Sequence, residues 1–436
     1  MVYVLSLNGQ PLMPTKRHGL VRRLLKSDRA KVIQRCPFTI QLLYETGEET
    51  QPVVLGIDAG SKHVGLSACT EKEELYAAEM RPRNNVVNNL SDRRQYRRSR
   101  RNRKTRYRQP RFLNRVHAKH NRWLAPSVEV KIQEHITCVK RVLKILPVTK
   151  VIVETAEFDL QRLKAMEDGK PLPVGTDYQM GEMYDEYNVR QYVLKRDNYT
   201  CQCCGKHPTE KNGLKLHVHH KESRKTGGNA PNNLITLCET CHKALHEGKI
   251  TLPEGKRGKP NRDAAFMGIM RGTLLERLRA MLDIPVWETH GYITKYRREK
   301  YGIQKTHTSD ARCITGCMES RPSEEAFLIV PVRCHNRQIH KAKILKGGIR
   351  KRNQSDYQVR GYRLWDKVLC SGQECFVKGR RSSGYFALAR LDGAVITESV
   401  SYKKLKLLET AKHYLTERRK GSPPTTEVTG VRALIS

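Results

Sequence analysis

The strongest constraint on the fold is a pair of Cys-x2-Cys motifs, formed by Cys201 with Cys204 and by Cys238 with Cys241. Each motif turns two thiolates toward a single ion, so the two motifs together predict one tetrahedral structural zinc site. The 33 residues between the motifs exceed the length of a simple zinc ribbon and must carry a further structure. Cys203 is a spare thiol that competes as a ligand in an alternative arrangement.

A set of histidines lies in and just after this insert: His219 and His220, then Asn233, and then His242 and His246. His242 and His246 are four residues apart on a predicted helix, so both can reach the same cation. A neutral imidazole near pH 7 can accept the proton of a water molecule, and a divalent ion stabilises the charge that develops on a phosphate. In an alternative arrangement, His242 or His246 joins the zinc site.

Three further acids lie far apart in the sequence. Asp58 ends the apolar strand predicted from Val53, Glu154 ends the one predicted from Lys150, and Asp310 lies at the start of a predicted helix. If the two strands are parallel neighbours, their carboxylates converge and repel one another unless divalent cations lie among them. His307, one helical turn before Asp310, can assist with water or phosphate. A lone strand-end acid is commonly a turn or cap residue, but the order and context of all three favour a metal site.

A strongly basic segment follows the first of these strands. Residues 93–122 contain 14 Lys or Arg and no Asp or Glu. The predicted helix in its first part has charge on all sides and no apolar stripe, so packing alone cannot stabilise it. Over about 16 residues such a helix would span roughly 24 Å, which suits several phosphates of a nucleic acid. The alternative is a disordered basic tail. The predicted phosphate contacts are Arg93, Arg94, Arg97, Arg98, Arg100, Arg101, Arg103, Lys104, Arg106 and Arg108.

Charge and hydropathy restrict the partners of the chain. Its 82 Lys and Arg against 44 Asp and Glu give a net charge of +38, and nucleic acid is the natural polyanionic partner. We expect no membrane binding, because no apolar run reaches the length of a membrane span and no secretory signal is present. Thirteen Cys, several of them in Cys-x2-Cys pairs, fit reduced thiols. The expected location is the prokaryotic cytoplasm, in association with the nucleoid.

Three sequence patterns in a fixed order resemble known nucleases. The histidine and asparagine pattern, with its flanking cysteines, is similar to the ββα-metal fold of HNH nucleases. A longer series of motifs resembles the split RuvC-type nuclease of IscB proteins. In chain order, the series is GIDAGSKHVG, the Arg-rich helix, VIVET, the HNH module and HTSDA. Pro11–Pro14 reads PLMP, the tetrapeptide after which the IscB accessory domain is named. The match extends to about residue 320 and is looser beyond it.

The resemblance implies an α/β multidomain fold: an RNase H-like (RuvC) mixed sheet, an inserted ββα-metal HNH domain, a small N-terminal accessory domain and a β-rich C-terminal domain. From the residues alone, 1–52 read as short strands and the last hundred as a small β-barrel. The predicted divisions are 1–52 accessory domain, 53–85 RuvC-like part I, 86–125 bridge helix, 126–177 RuvC-like part II, 178–255 HNH nuclease, 256–322 RuvC-like part III, and 323–436 guide-RNA and target-adjacent-motif region.

The same resemblance implies roles for the site residues. His220 is the general base, Asn233 orients it, and His219 with His242 holds a divalent ion, with His246 as a further ligand. Asp58, Glu154 and Asp310 hold Mg²⁺ or Mn²⁺ in the RuvC-like site, with His307 assisting. Glu157 competes with Glu154, whose strand-end position favours it.

The implied function is RNA-guided DNA cleavage by a monomeric ribonucleoprotein. A structured guide RNA, or omega RNA, pairs with one strand of a double-stranded DNA target. The HNH site would cut the paired strand and the RuvC-like site the displaced one. Two alternatives remain: a protein-guided endonuclease, such as a homing or junction-resolving enzyme, and a non-catalytic RNA-binding protein.

Overall fold

The computed structural model describes residues 1–101, 123–155, 189–209, 213–222, 231–252, 262–332 and 356–421, with residues 171, 177 and 347. The chain divides into two compact units, residues 1–159 with 270–436, and residues 160–269. It is a mixed α/β protein, and two of its sheets combine parallel and antiparallel strand pairs. Within the described ranges, no helix is both long and apolar enough to cross a membrane.

The described helices and strands alternate along the chain. The helices are α1 (His18–Lys26), α2 (Val86–Arg101), α3 (Pro126–Leu143), α4 (Val189–Arg196), α5 (Glu239–His246), α6 (Arg262–Met281), α7 (Gly291–Lys300) and α8 (His307–Thr315). The first ten strands are β1 (Val2–Leu5), β2 (Pro11–Thr15), β3 (Ala30–Gln34), β4 (Thr39–Leu42), β5 (Val53–Ala59), β6 (Val64–Cys69), β7 (Glu74–Met80), β8 (Val148–Thr155), β9 (Leu216–His220) and β10 (Leu234–Cys238). The others are β11 (Val286–His290), β12 (Glu325–Pro331), β13 (Lys367–Cys370), β14 (Gln373–Arg380), β15 (Tyr385–Ala389), β16 (Val395–Ser401), β17 (Lys406–Glu409) and β18 (Tyr414–Lys420).

The N-terminal strands form a four-stranded sheet in the order β2-β1-β4-β3. The PLMP tetrapeptide lies in the edge strand β2, a position that tolerates proline because an edge strand needs fewer N–H donors. The expectation of strands alone was incomplete here, because α1 lies between β2 and β3. Its apolar residues Val21, Leu24 and Leu25 pack against the sheet, with the spacing of one helix face.

The central sheet has seven strands in the order β11-β8-β5-β6-β7-β12-β18. The strands β5, β6 and β7 form an antiparallel meander. The strand β8 pairs parallel to β5, and β11 pairs parallel to β8. Because β5, β8 and β11 are parallel, their carboxyl ends lie at the same end of the sheet. The strand-end acids Asp58 and Glu154 lie at this end.

Two glycines let helix α8 lie directly on this sheet. A Cβ atom on Gly56 would lie 2.2 Å from the carbonyl oxygen of Ala311. A Cβ atom on Gly65 would lie 1.8 Å from the carbonyl oxygen of His307 and 3.2 Å from the Cβ of Asp58. No larger residue fits at either position without moving the helix. These glycines therefore bring the amino end of α8 to the end of β5.

Residues 160–269 contain a small module built from α4, β9, β10 and α5. The strands β9 and β10 pair antiparallel, with His219 opposite Ile235 and His220 opposite Leu234. Its buried core includes Cys201, Leu237 and Cys238. A core this small gives little stability by itself, so the module needs an additional stabilising element.

The strands β13 to β17 form a second antiparallel sheet in the order β16-β15-β14-β13-β17. The strand β17, the last of the five in sequence, pairs with β13, the first. The core of this sheet contains Val368, Val377 and Phe386. Within the described residues the two edge strands β16 and β17 do not pair with each other, so the small β-barrel expected from the sequence stays a prediction. The strands β12 and β18 are not part of it, because they join the central sheet.

Candidate functional site

Two acids face each other at the end of the central sheet. Asp58 on β5 is directly opposite Glu154 on the parallel strand β8. Directly opposed residues of neighbouring strands point to the same face, so both carboxylates project from one side of the sheet. Asp310 lies in the first turn of α8, and its side chain is largely buried. The sheet and the helix thus bring the three predicted acids to the same region.

Each of these acids has a specific partner. His307 Nδ1 lies 2.7 Å from Asp58 Oδ2, Thr294 donates a hydrogen bond to Glu154, and Arg298 Nη1 donates one to Asp310 Oδ1 over 2.6 Å. Sequence reasoning missed Thr294 and Arg298. The signal was present, because these residues are one turn apart on the helix that follows β11, the parallel neighbour of the Glu154 strand.

The three carboxylates influence one another electrostatically. Burial, together with repulsion from Asp58 and Asp310, raises the pKa of Glu154. The hydrogen bond to Asp58 raises the pKa of His307. A divalent cation bound among these carboxylates would relieve the repulsion between their negative charges. Three acids gathered in this way are the ligand type found in sites of two divalent ions, which lie about 3.5–4 Å apart in such centres.

A second histidine extends the acidic site and was not identified from the sequence. The ring of His63 stacks on that of His307, with centroids 4.9 Å apart and an interplanar angle of 3°. His63 Nδ1 lies 2.7 Å from Glu79 Oε1, and Arg81 donates to the same oxygen over 3.1 Å. His63 lies in the turn between Asp58 and its paired strand β6, so the hairpin that follows the GIDAG motif was the available signal.

The thiols of Cys201, Cys204, Cys238 and Cys241 lie within 4.8 Å of one another. The Sγ atoms of Cys204 and Cys238 are 3.7 Å apart, close to the roughly 3.8 Å expected between two thiolates on one tetrahedral zinc. Burial opposes ionisation of Cys201, but backbone hydrogen bonds outweigh it and lower the pKa of this thiol to about 7. The chemistry and spacing of the four thiols fit a structural zinc ion, whereas Cys203 is exposed and lies outside this group.

Three imidazoles form a separate group in the same module. Ligand atoms of His219, His242 and His246 lie within 4.8 Å of one another. The ring centroids are 5.2 Å apart for His219 and His242, 5.2 Å for His219 and His246, and 4.6 Å for His242 and His246. The geometry therefore groups His246 with the imidazoles rather than with the thiols. His217, which sequence reasoning did not select, stacks on His242 with centroids 5.1 Å apart.

Burial and neighbouring rings disfavour the charged form of two of these imidazoles, His219 and His242. Burial, followed by repulsion from His242 and His246, lowers the pKa of His219. Burial, followed by repulsion from His246 and His217, lowers the pKa of His242. A neutral imidazole has a free lone pair for a metal ion, so the cluster is prepared for a divalent cation near neutral pH.

Asn233 stabilises the turn that follows the histidine strand. The backbone N–H of Glu222 donates to Asn233 Oδ1 over 2.8 Å, and Asn233 Nδ2 donates to the carbonyl of Glu222 over 3.2 Å. The side chain is almost fully buried. His220 is the last residue of β9, two residues before Glu222, so Asn233 restrains the backbone next to this histidine.

The basic helix is described only in its first part. The buried carboxylate of Glu134 in α3 accepts hydrogen bonds from the backbone and the guanidinium of Arg83, three residues before α2 begins. Arg97 Nε donates to the carbonyl of Arg93 over 3.2 Å within the helix. The other predicted phosphate contacts in α2 are Arg94, Arg98, Arg100 and Arg101. The contacts predicted at Arg103, Lys104, Arg106 and Arg108, and the competing acid Glu157, lie outside the described residues.

Comparisons with known proteins agree with the imidazole module. The family model of the RRXRR protein matches residues 2–181, and the HNH endonuclease model matches residues 201–248. Anaredoxin from Nostoc sp. is 29% identical over 70 residues, which are 16% of this chain and 86% of that protein.

Solved structures of Streptococcus thermophilus Cas9 show a weaker likeness. The complexes with the AGAA and AGGA PAMs both have a TM-score of 0.27 and 16% identity, over 45% and 44% of this chain. The matched part covers 26% of each Cas9 chain, so this chain spans about a quarter of their length. At this TM-score the likeness does not define the fold.

The protein thus contains an HNH endonuclease domain, whose strand, turn and helix place three imidazoles together. This domain assigns it to the nucleases. The RRXRR segment that precedes the domain is typical of IscB-like and Cas9-like nucleases. The RRXRR and HNH matches, in this order along the chain, confirm the resemblance to IscB proteins.

Proposed function

We propose that this protein is an RNA-guided DNA endonuclease with two independent cutting centres. The observation that carries the proposal is that two chemically different clusters of candidate cation ligands lie in separate compact units of one chain. One is the carboxylate site around Asp58, and the other is the imidazole group around His219. Two such centres would allow each strand of a duplex to be cut at its own site.

In this proposal the central sheet with α8 is the RuvC-like nuclease and cuts the displaced strand. Asp58, Glu154 and Asp310 would hold Mg²⁺ or Mn²⁺, which supply a nucleophilic water and neutralise the developing phosphate charge. His307 keeps its ring in place through Asp58 and offers an N–H to the phosphate or the water. Arg298 balances the charge of Asp310 and holds that carboxylate toward the site.

The imidazole module would cut the strand that pairs with the guide. His219, His242 and His246 hold one divalent ion in this proposal, while His220 accepts the proton of the attacking water. Asn233 restrains the turn behind His220 through its two bonds to Glu222. A zinc ion on the four cysteines stabilises this small module, so its role is structural rather than catalytic.

Guidance by RNA follows from the resemblance and from charge. The Arg-rich helix α2, anchored on α3 through Arg83 and Glu134, would lie along the phosphates of a structured guide RNA. The partner set is therefore a guide RNA and a double-stranded DNA target, in a monomeric ribonucleoprotein. The protein would recognise the backbone of the heteroduplex and a short flanking motif rather than the target sequence.

The test is strand-resolved cleavage by the protein purified with its RNA. That RNA is sequenced, and a duplex target that matches its guide segment is labelled on both strands. We expect Asp58→Ala to cut only the guide-paired strand and His220→Ala only the other strand. Loss of both cuts from either single change would contradict two independent centres.

The protein-guided alternative predicts a different outcome in the same assay. Treatment with ribonuclease should abolish cutting, and a new guide segment should redirect it. Specific cutting by RNA-free protein would instead support a homing or junction-resolving enzyme. If the protein cuts neither strand in the presence of metal ions and matched RNA, the remaining hypothesis is a non-catalytic RNA-binding protein.

A further inference from the structure

Two imidazole–carboxylate pairs lie side by side at the acidic centre. In one, His307 Nδ1 lies 2.7 Å from Asp58 Oδ2, and in the other, His63 Nδ1 lies 2.7 Å from Glu79 Oε1. The two rings are stacked, with an interplanar angle of 3° and centroids 4.9 Å apart. The proposed function uses the first pair and gives no role to the second. We refer to His63 and Glu79 as the outer pair.

The central sheet sets the positions of both carboxylates. Asp58 on β5 is directly opposite Gly65 on β6, and Gly65 is directly opposite Glu79 on β7. Directly opposed residues point to the same face of a sheet, so Asp58 and Glu79 project from one face, about 10 Å apart. Gly65 leaves the space between them open for the backbone of His307, whose carbonyl oxygen lies 1.8 Å from where a Cβ atom on Gly65 would be. The two rings therefore lie in the region between the two acids.

The bond to Asp58 alone does not fix the orientation of the His307 ring. A single hydrogen bond holds one nitrogen atom, and the last side-chain torsion of histidine has a broad range of accessible angles. The ring can therefore tilt about the bonded nitrogen and carry Nε2, its other nitrogen, away from the reacting groups. His307 is the first residue of α8, and 43% of its side chain is exposed, so no tightly packed core encloses the ring.

The outer pair supplies the missing restraint. The His63 ring covers one face of the His307 ring, and a parallel contact resists tilting because tilting separates the two faces. Glu79 holds the His63 ring in turn, and the same carboxylate oxygen accepts a hydrogen bond from Arg81 Nε over 3.1 Å. The hairpin that carries His63 turns tightly at Gly60, where a Cβ atom would lie 2.3 Å from the His63 carbonyl oxygen. Both the backbone and the side chain of His63 are thus held in place.

We propose that His63 is a positioning residue of the acidic centre, which fixes the plane of the His307 ring by stacking on it. This inference rests on the proposed function, in which His307 offers an N–H to the phosphate or the water. An aromatic contact of this kind favours one geometry over others by a factor of up to about ten, so its loss should slow cutting by up to that factor. Metal binding should be unaffected, because the hydrogen bond of His63 goes to Glu79 and not to a proposed metal ligand.

The test uses variants that separate the ring of His63 from its hydrogen bond. His63→Phe keeps a flat ring but has no N–H for Glu79, whereas His63→Asn keeps a donor but has no ring. The full protein with its RNA cuts a matched duplex labelled on both strands, at saturating Mn²⁺. We expect His63→Ala and His63→Asn to cut the displaced strand about tenfold more slowly, with an unchanged Mn²⁺ concentration for half-maximal cutting. His63→Phe should restore most of the rate.

Two controls show that any loss is local. Cutting of the guide-paired strand should be unchanged in all three variants, and Glu71→Ala, which alters an exposed acid in the turn between β6 and β7, should cut both strands normally. A normal rate for the displaced strand in His63→Ala would overturn the inference. A rate in His63→Phe as low as that in His63→Ala would also overturn it, because His63 would then act through a nitrogen atom.

A second measurement requires no cutting. In the full protein with its RNA and isotope-labelled histidine, the nuclear magnetic resonance signals of the His307 ring protons are identified by their loss in His307→Gln. A stacked ring shields protons that lie over its face, so these signals should move downfield in His63→Ala and stay upfield in His63→Phe. Unchanged signals in His63→Ala would overturn the inference even in a protein that cuts as proposed. If the signals move as expected but the parent protein cuts neither strand, the proposed function fails and the positioning of the ring stands.

Discussion

The two candidate centres differ in the electrostatic environment that each would offer to a cation. In the acidic centre, Glu154 has a raised pKa because it is buried and close to two other acids. In the imidazole centre, His219 and His242 have lowered pKa values because burial and neighbouring rings disfavour their charged forms. A cation would relieve repulsion between acids in the first centre, whereas in the second it would bind rings whose protonated form is already disfavoured.

The centres also differ in what supports them. The acids project from a seven-stranded sheet and from a helix that lies on its glycines, so a large core positions them. The histidines project from one strand of a two-stranded sheet and from a two-turn helix. Such a small module depends on its four cysteines. The comparison teaches that candidate cation ligands can be positioned either by a large hydrophobic core or by a small module whose four thiols fit a structural metal ion.

The largest expected effect is the loss of the structural zinc. Cys201→Ser should unfold the imidazole module, because the zinc of small modules contributes about 10–16 kcal/mol, as much as the whole stability of a small domain. Cutting of one strand should fall to background while the acidic centre still cuts the other strand. Cys203→Ser is the control and should retain both cuts. Equal loss of both cuts in Cys201→Ser would show that the centres are not independent.

A smaller effect is expected from moving α8. Gly65→Ala places a methyl group against the backbone of His307 and should displace Asp310 and His307 from Asp58. A misplacement of about 1 Å costs about 100-fold in rate, so kcat at the acidic centre should fall by that factor. Gly19→Ala, where nothing lies within 4 Å of the added carbon, is the control. Normal cutting of both strands by Gly65→Ala would disprove this role for α8.

The hydrogen bond from Thr294 should have a moderate effect. Thr294→Val keeps the shape of the side chain but removes the donor, which favours the protonated form of Glu154. The Mn²⁺ concentration for half-maximal cutting at the acidic centre should rise about tenfold. Thr294→Ser should restore it, and the imidazole centre should be unaffected by either change. A rise in both centres would point to a general loss of stability instead.

The smallest effect concerns pH. A lowered imidazole pKa means that protons compete with the metal only below the ordinary value of 6.5, so the imidazole centre should keep its ion to a lower pH than ordinary histidines would. A raised carboxyl pKa means that protons compete above the ordinary 4.5, so the acidic centre should lose its ion earlier than ordinary carboxylates would. Mn²⁺ binding to His219→Ala and to Asp58→Ala, followed by electron paramagnetic resonance against pH, measures each centre alone. A midpoint above 6.5 for the imidazole centre would refute its part of the prediction.

Much of the site was accessible from sequence because its signals are local. Each of these signals spans only a few residues, so its geometry can be inferred from the sequence. They are the Cys-x2-Cys pairs, the histidines four residues apart on a helix, and the acids at the ends of apolar strands. The prediction for Asp58 and Glu154 was conditional on the two buried strands being parallel neighbours, and the structure shows that pairing. Arg298, Thr294 and Glu79 were missed, because their contacts join residues 12, 140 and 16 positions apart and depend on tertiary packing.

The fold was predicted less completely than the site. The helix α1 was read as part of a strand region, because its short apolar groups Val21 and Leu24–Leu25 suit either structure. The RuvC-like assignment of the central sheet stays a prediction, as do the domain boundaries. The strands β12 and β18 belong to the central sheet although they flank the C-terminal sheet in sequence, a long-range pairing that no local pattern reveals.

The most direct test of the account is a crystal structure of the full chain with its RNA, grown in Mn²⁺ and measured at the manganese absorption edge. We predict anomalous density among Asp58, Glu154 and Asp310, and a separate peak among His219, His242 and His246. Density at the imidazoles with none among the three carboxylates would contradict the central claim of two metal-dependent centres.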